Sequence, residues 1–492
     1  MPEDDVRNAC QSPCANGGAA GQPQPGGKLL GLIPLDWRYD LTSVRGVRWL
    51  FKQRWFPTIA ILINLLIFML ILTGGILGGF SPGNYSFTIM IVWILWWVML
   101  MLVLVPVLSR TWCMVCPLPA FGEWLQRLKV FGVNNQLRGL NLKWPRRLRN
   151  MWLMNFLFLG TTFFSGFFTV KPLATFMLLG GIIVLGVVIM LVFEKRSFCL
   201  YICPVSGFQG LYSNMAMTEI RVKDPAICAK HKKKTCVTGT AKGHGCPWLL
   251  EPHSFQRNTY CGMCLECFKT CPFDNMAFNL RPPGTDILVN DKRGLDEAWK
   301  GFIMLGIAMM FFTAMMGPWG WLKDMVRAAT FTGWLAFVGI HTTTNLLVIP
   351  GIFFVFVLLA KLLSDDREAS LKAIFVNLSY SLIPMGLAAW IAFSFGFLLP
   401  NGSYILHILS DPFARGWNLI GTAGFPWTPV LTRWLAPLQF ASLLVGFVFS
   451  ADYGLKLARQ TFSTERAARR GFLVLLAFLT LITLFFGWLY GG

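Results

Sequence analysis

Residues 57–80 read PTIAILINLLIFMLILTGGILGGF, 24 consecutive positions without one charged side chain. A bilayer core about 30 Å thick is crossed by roughly 20 apolar residues of helix, so this stretch predicts a membrane span. Eight further runs of the same character follow near 86–108, 151–170, 172–193, 299–317, 332–363, 373–399, 434–456 and 471–490. The 332–363 run is longer than one helix requires. Pro350 inside it predicts a break or a re-entrant piece, because proline lacks the N–H that a helix interior uses.

The composition agrees. Of 492 residues, 55% are hydrophobic and 13% charged, against roughly 25% charged in a soluble domain. The expected fold is therefore an all-α polytopic membrane protein of about nine transmembrane helices in membrane lipid. A net charge of +20 could serve nucleic acid, but its distribution argues otherwise. If the N-terminus is cytoplasmic, 38 of the 43 Lys and Arg fall on the same side, which is the positive-inside bias of membrane topology. No nucleic-acid partner is expected. The same count puts the polar insert at 204–298 in the cytoplasm, and a prokaryotic cytoplasmic membrane is the expected location.

Four regions follow: a disordered, basic tail over 1–50, a four-helix membrane repeat over 51–203, a small inserted α+β ferredoxin-like domain over 204–298, and a C-terminal membrane domain of five helices over 299–492. The tail is rich in Gly, Pro, Gln and Ala and shows no apolar signal-peptide core. Its two cysteines, Cys10 and Cys14, carry no clear chemistry.

Thirteen cysteines in a compartment that keeps thiols reduced point to metal ligands or redox thiols rather than disulfides. The most specific signal is Cys261-Gly-Met-Cys264-Leu-Glu-Cys267-Phe-Lys-Thr-Cys271-Pro272. This C-x2-C-x2-C-x3-C-P spacing lets three thiolates wrap one corner of a 4Fe-4S cube while the fourth turns toward a neighbouring cluster. Closely spaced cysteines also bind zinc, but four at this spacing before a proline favour iron.

Upstream lie Cys228, Cys236 and Cys246-Pro247. Cys246 precedes proline as Cys271 does, so it is expected to complete a cube with Cys261, Cys264 and Cys267. Cys271 then joins Cys228 and Cys236, a set one ligand short. His231, three residues after Cys228, is a candidate for the missing position, against the plainer reading of a surface histidine in a lysine run. Cys199 or Cys203 could close the set instead.

An internal repeat carries the remaining thiols. Arg110-Thr-Trp-Cys113-Met-Val-Cys116-Pro117 recurs 86 residues on as Arg196-Ser-Phe-Cys199-Leu-Tyr-Ile-Cys203-Pro204. Each closes a pair of spans on the cytoplasmic side. These four cysteines form a further cluster, a metal site, redox thiol pairs or, as the bland alternative, buried small hydrophobes. Between the units, 120–150 alternates apolar and basic residues, as either an interfacial amphipathic helix or a solvated loop would. His341 falls within a span, where a histidine suggests a quinone, proton or haem contact. With His407 in an outer loop no axial pair emerges, so a buried, hydrogen-bonded histidine is expected rather than haem.

Two Cys-Pro motifs closing membrane helix pairs, then a cytoplasmic ferredoxin module, resemble the NapH/NosR/CcoG group of membrane iron–sulfur proteins. The resemblance covers residues 50–285 and rests on Cys113, Cys116, Cys199, Cys203 and the run from Cys261 to Cys271. It implies electron transfer between the quinone pool and a redox partner protein or larger complex, or copper reduction during assembly. The chain departs from the group at the two-residue spacing between Cys113 and Cys116, at the irregular Cys228–Cys246 motif and in its five extra spans. It also lacks a Ser/Thr-Gly-Ala-Thr flavin attachment sequence, so covalent FMN is not implied. Electron transfer is the expected function. Metal reduction at the membrane-edge thiols and a transporter or scaffold role for 299–492 are the alternatives.

Overall fold

The computed structural model describes residues 27–79, 86–289, 293–316, 320–327 and 330–491. Cys10 and Cys14 lie outside the described residues.

The fold is mostly helical. Eight helices are long and apolar enough to cross a membrane: Trp55–Gly78, Phe87–Leu108, Pro172–Val192, Leu295–Met315, Phe331–Ser364, Leu371–Asn401, Thr432–Thr461 and Glu465–Gly491. They make the chain a multi-pass membrane protein. The ninth expected span divides into the shorter helices Trp152–Thr162 and Ser165–Phe168. At the division the Thr161 and Thr162 hydroxyls donate back to the carbonyls of Phe158 and Leu159, at 2.8 and 2.6 Å, and such local bonds compete with helix continuation.

Pro350 does not break its run. The Phe331–Ser364 helix passes through it, and a five-residue π-helical stretch, Thr344–Val348, stands immediately before it. Pro106 is likewise preceded by π-helical Leu100–Leu104. The wider i→i+5 turn shifts the bonding register, and the chain stays helical through the proline.

The chain forms two compact units. The first combines the chain up to Phe68 with Leu104–Met154 and Gly181–Lys292; the second combines Met69–Val103, Asn155–Gly180 and Arg293–Gly492.

In the first unit, a three-stranded antiparallel sheet has Met276–Leu280 between Tyr39–Asp40 and Thr218–Val222. Ile220 stands opposite Phe278, and Val222 opposite Met276. The period of two sends Ile220, Met276 and Phe278 into a core with Met263, Leu265 and Phe268. Residues expected to belong to a tail contribute as well: Tyr39–Asp40 is a strand, and the Arg45–Lys52 helix sets Phe51 5.2 Å from Phe278 and 5.7 Å from Phe268, ring centre to ring centre. The other face of the sheet holds a charged network. Arg281 donates to Glu219 at 2.8 Å and to Asp286, Arg221 reaches Asp286 at 3.2 Å, and Arg38 reaches Glu219 at 2.7 Å. Of the basic stretch at 120–150, Leu118–Arg127 is helical and the remainder runs mainly as loop.

The second unit packs Leu382–Asn401 against Leu435–Thr461, with Gly446 meeting Ala388 so closely that a Cβ would clash. The Trp390 indole donates to the Met304 carbonyl at 3.0 Å. His341 is fully buried; its Nε2 pairs with the Thr162 hydroxyl at 2.9 Å, and its ring stacks on Phe337. His407 lies in the Tyr404–Ser410 helix with Nδ1 at the Ala423 carbonyl. His341 fits the expectation of a buried, hydrogen-bonded histidine, whereas His407, expected in an outer loop, stands in a short helix.

Candidate metal centre

The two Cys-Pro motifs fold alike, for local reasons. In each, a five-residue helix carries the first cysteine: Thr111–Val115 holds Cys113 and Ser197–Tyr201 holds Cys199. The second cysteine is extended, Cys116 with ψ 128° and Cys203 with ψ 116°. A residue before proline is driven from the helical region into this conformation. Pro117 and Pro204 then start the next helices, Leu118–Arg127 and Pro204–Tyr212, where a missing N–H costs nothing. Even the strained position repeats: Ser109 and Lys195, each one residue before a motif arginine, have φ of 61° and 53°.

The arginines cross over. Arg196 grips Glu123, on the helix after the first motif, with two bonds of 2.7 and 3.0 Å, and donates to the Cys113 carbonyl at 2.8 Å. Arg110 donates to the Ser206 hydroxyl, on the helix after the second motif, and to the Thr259 carbonyl. Burial alone would raise the Glu123 carboxyl, but Arg196 and Arg127 outweigh it and hold it near 2. This exchange brings Cys113, Cys116, Cys199 and Cys203 together: the Cys199 thiol, pushed up by burial, also feels the charges of Cys203, Cys116 and Cys113. Cys203, pushed up to about 11 by burial, feels Cys113 as well. Cys199 and Cys203 thus lie near the thiols of the first motif.

In the regular run the backbone curls between ligands, with Met263 and Leu265 at φ of 53° and 63°. Left-handed backbone costs a non-glycine residue about 1–2 kcal/mol, and such strain gathers at functional sites. Gly262 has a separate role: a Cβ there would stand 2.0 Å from the buried Trp248 indole. Trp248 thus lies flat on the Cys261–Cys264 turn, and the Arg110 guanidinium stacks over it at 4.5 Å. Cys246, expected to complete this set, lies near its thiols. Burial pushes the Cys261, Cys264 and Cys267 thiols up, and Cys246 is among the charges felt by all three.

The scattered set is assembled by the sheet. Because Val222 faces Met276, the residues just past the strand ends, Asp224 and Asn275, meet. The Asn275 side chain accepts from the Asp224 N–H at 2.9 Å and donates to the Asp224 carbonyl at 2.7 Å. Its side-chain amide also donates to Cys228 Sγ and its backbone N–H to Cys271 Sγ, both at 3.4 Å. Two thiols 43 positions apart thus share one asparagine. Cys236 is tied in through its carbonyl, which accepts from the Cys246 N–H at 2.8 Å. Burial pushes Cys236 up to about 12, and it feels Cys246 on one side and Cys228 on the other. His231 sits edge-on to Phe273, ring centres 5.0 Å apart.

The three sets stand in sequence. The Arg196 charge acts on Cys199 and on Cys264, and the Arg110 charge on Cys203 and on Cys261, so each guanidinium stands near both the membrane-edge set and the Cys261 set. Cys236 and Cys246 connect the latter to the Cys228 set. Among the described residues, no three His, Cys, Asp or Glu side chains converge closely enough to hold one ion. In a cubane each thiolate meets a different iron, so a wider set of soft donors lined by N–H groups fits.

Sequence reasoning did not identify Asn275, Trp248 or Glu123. Asn275 lies four residues past the last cysteine of the run and Trp248 one past Cys246-Pro247, so adjacency was the available signal. Glu123 had none.

Residues 89–145 and 176–221 match the family described as 4Fe-4S binding domain. No curated protein and no solved structure matches the chain. Each matched stretch carries one Cys-Pro motif, so this chain is similar to iron–sulfur proteins at the membrane-edge thiols, beside the regular run that points to the same cofactor, and an iron–sulfur electron-transfer role in a membrane protein follows.

Proposed function

We propose that this chain is a membrane electron-transfer protein working between a redox partner on the cytoplasmic face and the quinone pool or a partner complex, in the manner of the NapH/NosR/CcoG group. The observation that carries the reading is the succession of thiol sets, membrane-edge to Cys261 to Cys228, with Arg110 and Arg196 acting on neighbouring sets. Cys246, Cys261, Cys264 and Cys267 would hold one 4Fe-4S cluster, Cys228, Cys236 and Cys271 the larger part of a second, and Cys113, Cys116, Cys199 and Cys203 a third. A bound cluster supplies reversible one-electron chemistry at nearly fixed geometry. The chain's own residues do the rest. Burial keeps water from Cys113, Cys199 and Cys203, the guanidiniums place positive charge where an added electron is stabilised, and N–H groups on sulfur set the potential.

Orientation supports a cytoplasmic site. The Lys and Arg bias survives only if Trp152–Thr162 and Ser165–Phe168 together make one crossing, which their 17-residue reach permits in a thinned or tilted arrangement.

Anaerobic purification tests the reading, with iron and acid-labile sulfide counts and EPR of the reduced protein. About twelve irons match three cubes, about eight match two and about four match one. Zinc without sulfide, or a colourless protein, would overturn it. The quinone side is tested by adding a quinol to the loaded protein: bleaching of the visible absorbance that Cys113→Ser abolishes supports it, and no bleaching in any form refutes it.

A further inference from the structure

We infer that Glu251 supplies the fourth, non-sulfur ligand at the Cys228, Cys236 and Cys271 set, which makes this a cluster site with one exchangeable iron. The inference rests on the iron–sulfur reading and concerns only which side chain closes one site.

The set needs a closing group. Among the described cysteines, Cys246, Cys261, Cys264 and Cys267 form one set and Cys113, Cys116, Cys199 and Cys203 another, which leaves three thiols here. Glu251 is delivered by the chain that follows Cys246-Pro247. Trp248, buried against the Cys261–Cys264 turn, anchors that segment. Leu249, at φ 55°, then turns the backbone. Lys234 fixes where the carboxylate ends up. Its ammonium donates to the Cys228 carbonyl at 2.6 Å and stands 3.9 Å from Glu251 Oε1, so one cation spans the ligand backbone and the carboxylate. Glu251 is also among the charges felt at both the Cys228 and the Cys236 thiols. His253 Nδ1 lies 3.7 Å from the other oxygen, Oε2, the kind of outer contact that orients a ligating carboxylate.

Chemistry then sets the consequence. A carboxylate is a harder donor than thiolate and suits the softer iron sites less well. The Glu251 side chain is 21% exposed, so its iron would be open to solvent as well as more weakly held, and the first lost.

The test uses full-length protein, purified anaerobically, as wild type, Glu251→Gln and Glu251→Cys. Mild ferricyanide takes one electron from a cube, which releases one ferrous ion and leaves a three-iron cluster with a distinct EPR signal. Wild type is expected to lose about one iron per protein on this treatment and to gain that signal. Glu251→Gln should be isolated already depleted and carrying the signal, whereas Glu251→Cys should keep its iron and resist the oxidant. If Glu251→Gln matches wild type in iron count and spectrum, the inference fails. It fails equally if His231→Ala, or Cys10→Ser with Cys14→Ser, reproduces the depleted spectrum while Glu251→Gln does not. Wild type that holds only the Cys261 cube also overturns it and leaves electron transfer standing. Protein without iron or sulfide in any form sinks the broader reading instead.

Discussion

The regular cysteine run and the scattered one gather their thiols by opposite routes. Cys261, Cys264 and Cys267 lie within seven residues, and their arrangement is set by two left-handed residues and a glycine under an indole. Cys228 and Cys271 have no local pattern and share Asn275 because a sheet register places Asp224 beside it, while Cys236 is tied in through Cys246. The membrane-edge set stands between them: each motif is local, but the set exists only through two crossed arginines. One kind of site is written in spacing, the other in topology, and they should fail differently.

The largest expected effect is on iron. Cys264→Ser removes a ligand from a half-buried, locally wound site and should lose about four irons. Cys228→Ser should lose the other set's iron and leave the first intact. A shared loss of all iron in both variants, seen by iron and sulfide counts, would mean that the sets are one cooperative unit and would dissolve the contrast.

Next comes the crossed pair. Arg196→Ala leaves Glu123 buried without its bidentate partner, and breaking such a pair costs about 3–5 kcal/mol. Thermal unfolding in detergent should show a clear fall, and the Arg196→Ala, Glu123→Ala double variant should recover part of it, as coupled residues do. Full additivity would mean that the crossing does not hold the motifs together.

These tests bear on what the chain reveals before it folds. Membrane spans and the regular run were legible because both are local: apolar length matches bilayer thickness, and ligand spacing matches a cube. The expectation that Cys246 pairs with Cys261, Cys264 and Cys267 comes from a Cys-Pro echo. What stayed hidden depends on partners distant in sequence. Nothing near Glu123 announces Arg196, and nothing in residues 39–52 announces a strand and a helix in the Cys261 core. Pro350 misled for a related reason, since the π turn that accommodates it is a property of the folded ladder and not of the proline.

Smaller effects separate the two routes further. Asn275→Ala removes bonds to Asp224 and to Cys228 Sγ. Unsatisfied buried groups cost about 1–3 kcal/mol each, so the scattered set should bind its iron less completely while the regular run keeps its own. Gly262→Ala should do the reverse, because its methyl would meet Trp248 on the regular turn.

The smallest effect is a pH dependence in the sheet that joins the scattered thiols. Strand Thr218–Val222 leads to Cys228 and strand Met276–Leu280 follows Cys271, so whatever stabilises their pairing stabilises that set. Burial by itself would raise the Glu219 carboxyl, but Arg221, Arg281 and Arg38 together hold it well below the usual carboxylate range. A carboxyl lowered in the folded state contributes stability that is fully present above its unfolded value of 4.5 and is lost as pH falls toward the folded one. Glu219→Gln cannot titrate. The gap in melting temperature between wild type and this variant should therefore be widest above pH 4.5, amount to a few degrees (roughly 1–2 kcal/mol), and close as the pH is lowered. Measured on protein stripped of metal, to separate it from acid loss of clusters, a gap that stays constant from pH 7 to pH 3 would mean that the network's worth is packing rather than charge.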